Sequence, residues 1–81
     1  MREEPITISI RDLGVAAALV ACEFEIVDTY LVKDGRMYFV FEETAALDDV
    51  VNRFYTDTLE TKARKYFDAI KTLKGRIYAN K

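Results

Sequence analysis

Apolar and polar residues alternate at period two across residues 6 to 10, Ile-Thr-Ile-Ser-Ile. This predicts a short strand with Ile6, Ile8 and Ile10 on one face, begun at Pro5. The pattern then becomes continuous, with an apolar run from Leu13 to Cys22 opened by Asp12, whose carboxylate suits the free amides of a first helical turn. A helix over 12–22 follows. It has no polar face, so most of its surface must be covered. Gly14, Ala17, Ala18 and Ala21 set small side chains at three- and four-residue spacing. That spacing suits either a central core helix or the interface of a homo-oligomer.

Residues 24 to 43 hold two β-rich runs around Asp34-Gly35, a favoured dipeptide for a two-residue type I′ turn. Strands over 24–33 and 36–42 are predicted. In that register Lys33 faces Arg36, Val32 faces Met37, Leu31 faces Tyr38, Tyr30 faces Phe39 and Thr29 faces Val40. The face carrying Val32, Met37, Tyr30 and Phe39 is the more apolar and is expected to meet the helices. Whether residues 6 to 10 pair with this hairpin is left open by the pattern.

Helical spacing returns after Thr44, a suitable cap for a helix over 45–56 with Leu47, Val50, Val51, Phe54 and Tyr55 in one stripe. Asp48 and Asp49 complement the positive end of its dipole. Their side chains diverge by about 100°, which disfavours a metal site shared with Glu42 and Glu43. The stretch Thr56 to Glu60 interrupts the pattern before a helix over 61–78, capped by Thr61 and buried along Ala63, Tyr66, Phe67, Ile70, Leu73 and Ile77. Gly75 weakens its last turns by about 1 kcal/mol relative to alanine. The resulting class is α+β, in the order β-α-β-β-α-α, with a small antiparallel sheet against three helices.

At 81 residues the chain fits one domain with a small core. Histidine is absent, which removes the commonest general base and zinc ligand. The lone cysteine, Cys22, lies in an apolar stretch beside Glu23 and Glu25 and reads as a small hydrophobe. No residues are assigned to catalysis, to a cofactor or to a metal, and no small-molecule substrate is evident. An enzyme is not expected. The apolar run is far below the roughly 20 residues of a membrane span. The start of the chain has no apolar segment after a basic one, so a cytoplasmic setting is expected.

Charge is divided unevenly. Residues 61–81 carry seven Lys or Arg against one Asp, and residues 1–60 carry five against thirteen acidic residues. Lys62, Arg64, Lys65, Lys71, Lys74 and Arg76, with Tyr78 as a stacking residue, are the candidate nucleic-acid contacts. On a helical projection Lys62, Lys65 and Arg76 fall on one flank, Arg64 and Lys71 on the other, and Asp68 lies between. Basic stems bordering a buried stripe are better explained as its solvated edges, with nucleic-acid contact as the alternative. Tyr66 and Phe67 are expected on the buried side, out of reach of a base.

The order Asp12-Leu-Gly-Val-Ala-Ala-Ala-Leu-Val-Ala-Cys22, then Met37-Tyr-Phe-Val-Phe41, then Tyr66-Phe67 with Ile70-Lys71, Leu73-Lys74 and Ile77-Tyr78 resembles a family of short uncharacterised proteins from phages, prophages and bacteria, a domain of unknown function. That pattern often closes the first helix with glycine, where this chain has Cys22-Glu23. The resemblance implies a phage or prophage setting and carries no catalytic residues. Together these features lead to a small non-enzymatic interaction module with a protein partner or a second copy of itself. The alternative is a nucleic-acid-binding protein using the basic C-terminal helix.

Overall fold

The computed structural model describes residues 5–79. Strand β1 (Thr7–Ile10) leads to helix α1 (Leu13–Ala21), the hairpin β2 (Ile26–Leu31) and β3 (Met37–Glu42), then α2 (Ala45–Tyr55) and α3 (Ala63–Ala79). The strands form one antiparallel sheet in the order β1-β3-β2. Residues 6 to 10 therefore do join the sheet, on the free edge of β3, with Ile8 opposite Phe41 and Ile10 opposite Phe39.

The hairpin forms in a different register from the one the turn dipeptide suggested. Val32 N–H donates to Arg36 C=O at 2.9 Å and Gly35 N–H donates to Val32 C=O at 2.9 Å, so the loop holds three residues, Lys33 to Gly35. Gly35 alone takes positive φ there, at 87°. This is a turn followed by a left-handed glycine, in place of the type I′ turn that needs positive φ at both central residues. Arg36 N–H donates to the Asp34 carboxylate at 3.1 Å, which gives the aspartate a turn-closing role. Pairing shifts by one residue as a result: Leu31 faces Met37, Tyr30 faces Tyr38 and Thr29 faces Phe39. A one-residue shift moves side chains to the opposite face. Tyr30 thus leaves the helix side and stacks on Tyr38 across the open face, ring centroids 5.1 Å apart. A bulge between Ile26 and Asp28 restores the alternation so that Ile26 points back into the core.

Met37, Phe39 and Phe41 of the central strand, with Ile8 and Ile10, form the floor of the core. On it lies α1, packed against both other helices and the sheet. Asp12 caps it by accepting from Val15 N–H at 3.1 Å, and Thr44 caps α2 from Leu47 N–H at 3.1 Å. Val15 to Leu19 are almost wholly covered. The small positions expected either inside a core or at a subunit interface lie inside: Ala17, Ala18 and Ala21 are buried within the single chain. Gly14 is the point of closest approach. A methyl group there would stand 3.2 Å from Phe54 Cζ and 3.3 Å from Tyr66 Oη, and Tyr66 Oη–H reaches Gly14 C=O at 3.3 Å.

Both α1 and α2 end in the same backbone device. Glu23 N–H donates to Val20 C=O and Phe24 N–H to Leu19 C=O, while Asp57 N–H donates to Phe54 C=O and Thr58 N–H to Arg53 C=O. These paired bonds satisfy the last carbonyls and place one residue in the left-handed region. That residue is Glu23 at φ 74° and Asp57 at φ 61°. Glu23 thus adopts a conformation that favours glycine. On α2 the stripe is Leu47, Val50, Val51 and Phe54; Tyr55, expected in it, is 65% exposed.

Candidate functional site

Helix α3 and its cap residue Lys62 carry every residue the sequence nominates for nucleic-acid contact. Its first bond runs from Tyr66 N–H to Lys62 C=O, so Lys62 holds the cap position and Thr61 stands one residue outside it. The helix continues without interruption past Gly75 to Ala79. Ala69 and Leu73 are buried, flanked by Tyr66, Ile70 and Ile77. Two residues expected in this stripe are outside it: Ala63 is exposed and Phe67 is 57% exposed. At 3.6 residues per turn Phe67 lies about 100° from the centre of the buried stripe, which places its ring at the solvent boundary.

The two flanks of α3 differ in what their cations do. On one, Lys65 donates to the Glu23 carboxylate, joining α3 to the end of α1. The hydrogen bond and the charge of Lys65 hold the Glu23 carboxyl below the usual carboxylate range. Arg76 lines a groove of about 410 Å³ along β2 with Ile26, Val27, Asp28 and Thr29. This flank is turned toward the rest of the fold.

The other flank faces solvent. Arg64 stands 3.7 Å from Asp68, one turn on, as an exposed pair of little energetic weight. Lys71 Nζ sits 5.4 Å from the centroid of the Phe67 ring, a cation–π geometry. Lys74 follows, and then Tyr78, 66% exposed. Among the described residues neither Lys71 nor Lys74 has a carboxylate partner. Phe67, Lys71, Lys74 and Tyr78 follow a spacing of four, three and four residues, which brings them within a sector of about 60°. Over the eleven steps from Phe67 to Tyr78 the helix rises about 16 Å. The result is a line of ring, cation, cation, ring.

Elsewhere the structure gathers less chemistry. Phe54, Asp57, Leu59, Thr61 and Tyr66 line a cleft of about 320 Å³ between the end of α2 and the start of α3. Glu43 and Asp48 meet at the start of α2, where hydrogen bonding and repulsion from Asp48 raise the Glu43 carboxyl above its ordinary range. Asp49 turns away from them to Arg53 Nε at 2.9 Å. Among the described residues no three His, Cys, Asp or Glu form a group able to hold a metal ion. No helix among the described residues is long and apolar enough to cross a membrane.

Of the nominated residues, the structure sets Arg64, Lys71, Lys74 and Tyr78 together on the open flank and leaves Lys65 and Arg76 on the other. Phe67 was missed as a surface residue because its size and apolarity suggested burial. The signal that identifies it is angular: on the stripe formed by Tyr66, Ala69, Ile70, Leu73 and Ile77, Phe67 falls about 100° from the centre, at the edge.

A three-stranded antiparallel sheet covered by three helices, bearing an exposed basic and aromatic helix face, defines a small α+β domain. Its family is shown directly: the domain of unknown function DUF5659 matches residues 6–79, and the chain belongs to that family. Neither a curated protein nor a solved structure matches the chain.

Proposed function

We propose that this protein is a non-enzymatic interaction module that engages an anionic partner through the outer face of α3. One observation carries the reading: two large rings, Phe67 and Tyr78, stand in solvent in line with Lys71 and Lys74 on the flank facing away from the core. Exposed aromatic and basic residues concentrated on one face are typical of contact surfaces. The covered state of α1 moves the reading away from self-association through Gly14, Ala17, Ala18 and Ala21. Two copies of the α3 face would oppose lysine to lysine, so a heterologous acidic partner fits better than a second copy of the same face. Nucleic acid is the second reading, favoured by the exposure of Phe67, because a base can stack only on an accessible ring.

A cytoplasmic setting and the phage or prophage context implied by the family resemblance belong to this proposal. The genes flanking family members test the context: an absence of phage genes among them removes it. For the contact surface, amide chemical shifts are followed while an oligoglutamate peptide and an oligothymidylate are each titrated in. Shifts that map to α3 around Phe67, Lys71, Lys74 and Tyr78 support the reading. Shifts confined to the β2 groove or to the Phe54–Tyr66 cleft reject it.

A further inference from the structure

We infer that the outer face of α3 binds single-stranded nucleic acid without sequence preference, with Phe67 and Tyr78 stacking on bases and Lys71 and Lys74 contacting the phosphates between them. This rests on the reading of α3 as the contact face and names its partner. An aromatic face carries negative charge density and attracts a base or a cation, whereas a carboxylate gains nothing from it. An acidic protein would use the lysines and leave both rings idle. A single strand uses both kinds of group.

Spacing supports the same partner. The two rings lie about 16 Å apart along the helix, which spans about five nucleotides at a rise of roughly 3.4 Å and fewer when the strand is stretched. Lys71 and Lys74 fall between the rings on the same line, where the backbone between two stacked bases must run. A duplex keeps its base faces inside the stack, so these rings have no surface to meet there. The face holds Phe67, Lys71, Lys74 and Tyr78, bordered by Arg64 paired with Asp68, and no Asn, Gln or Glu lies in line with the rings. Recognition is therefore by stacking and charge, which every base satisfies.

Lys65 and Arg76 have no part in this surface, since Lys65 is held by Glu23 and Arg76 faces β2. With Lys71 and Lys74 as the main phosphate contacts and Arg64 at the edge, about two or three counterions are released. The logarithm of affinity then falls with the logarithm of salt at a slope of roughly −1.4 to −2.

The test is fluorescence anisotropy of the full chain against a labelled oligothymidylate of about ten nucleotides, a duplex of equal length and an oligoglutamate peptide, at low and physiological salt. Oligothymidylate is expected to bind best. Phe67→Ala and Tyr78→Ala should each weaken it at least about fivefold, and Lys71→Gln with Lys74→Gln should flatten the salt slope. Lys65→Gln should leave binding unchanged, and the thermal midpoints of the ring variants should stay near that of the parent chain. Equal or tighter binding of the duplex overturns the inference, as does wild-type affinity in both ring variants. Binding of oligoglutamate alone through Lys71 and Lys74 overturns it while leaving the α3 contact face intact. Binding of no probe at low salt overturns both.

Discussion

Helix α1 is apolar all round and helix α3 is amphipathic, and they use their surfaces in opposite ways. Helix α1 has no polar face, and the fold spends nearly all of its surface internally, on the sheet, α2 and α3. Helix α3 gives up only the line from Tyr66 through Ala69, Ile70 and Leu73 to Ile77, and leaves the line from Phe67 to Tyr78 in solvent. Small side chains make the first arrangement feasible, because they let Phe54 and Tyr66 approach the α1 backbone at Gly14. Apolarity alone therefore does not mark a contact surface in this protein. Of these two helices, the more polar one carries the exposed large apolar groups, Phe67 and Tyr78.

The largest test of that contrast lies in α1. Leu19 is fully covered, so Leu19→Ala should lose about 3 kcal/mol from lost transfer energy and a residual cavity, read by chemical denaturation. A loss under about 1 kcal/mol would mean that α1 is loosely packed and available to a partner. Next in size is Gly75→Ala on α3. Nothing lies within 4 Å of a methyl group there, and the residue is inside the helix, so the change should stabilise by about 1 kcal/mol. A neutral or destabilising result would place a neighbour against that turn.

Smaller effects sharpen the tie between the two helices. The Glu23 carboxyl is lowered by Lys65, so its contribution is present above the ordinary carboxylate range and is lost as pH falls through its depressed folded value. Glu23→Gln should lower the thermal midpoint slightly at pH 7 and converge with the parent chain in acid. Glu43 has the opposite sign, since Asp48 raises it: the protonated form is favoured in the fold and that benefit is lost as pH rises. Glu43→Gln should therefore raise the midpoint at pH 7, and the gain should vanish in acid. A gain that persists in acid would assign it to some other cause than repulsion.

The contrast between the helices also explains which parts of the molecule were legible in the sequence. Element order followed from periodicity and from caps such as Asp12 and Thr44, whose side chains act within three residues of themselves. The hairpin register did not follow, because Asp34-Gly35 fits both a two-residue loop and a three-residue loop with glycine last, and only the cross-strand packing of Met37, Phe39 and Phe41 chooses. The left-handed ends at Glu23 and Asp57 carry no glycine to announce them. Phe67 and Tyr55 were assigned to buried stripes by their chemistry, while their exposure depends on how far α1 reaches along each neighbour, which is a tertiary property. Lys65 looked like a phosphate contact until the chain reversal after α1 brought Glu23 to it.

The most direct test of the division between a spent helix and an open one is the unfolding free energy of Phe67→Ala at pH 7, measured by denaturant titration beside Leu73→Ala. The exposed ring loses partial cover and its contact with Lys71, offset by the better helix propensity of alanine, so Phe67→Ala should change stability by less than about 1 kcal/mol. Leu73→Ala on the buried line should lose about 2 to 5 kcal/mol. A loss of about 3 kcal/mol or more at Phe67 would show that its ring belongs to the core, and would leave α3 without the face on which the proposed function stands.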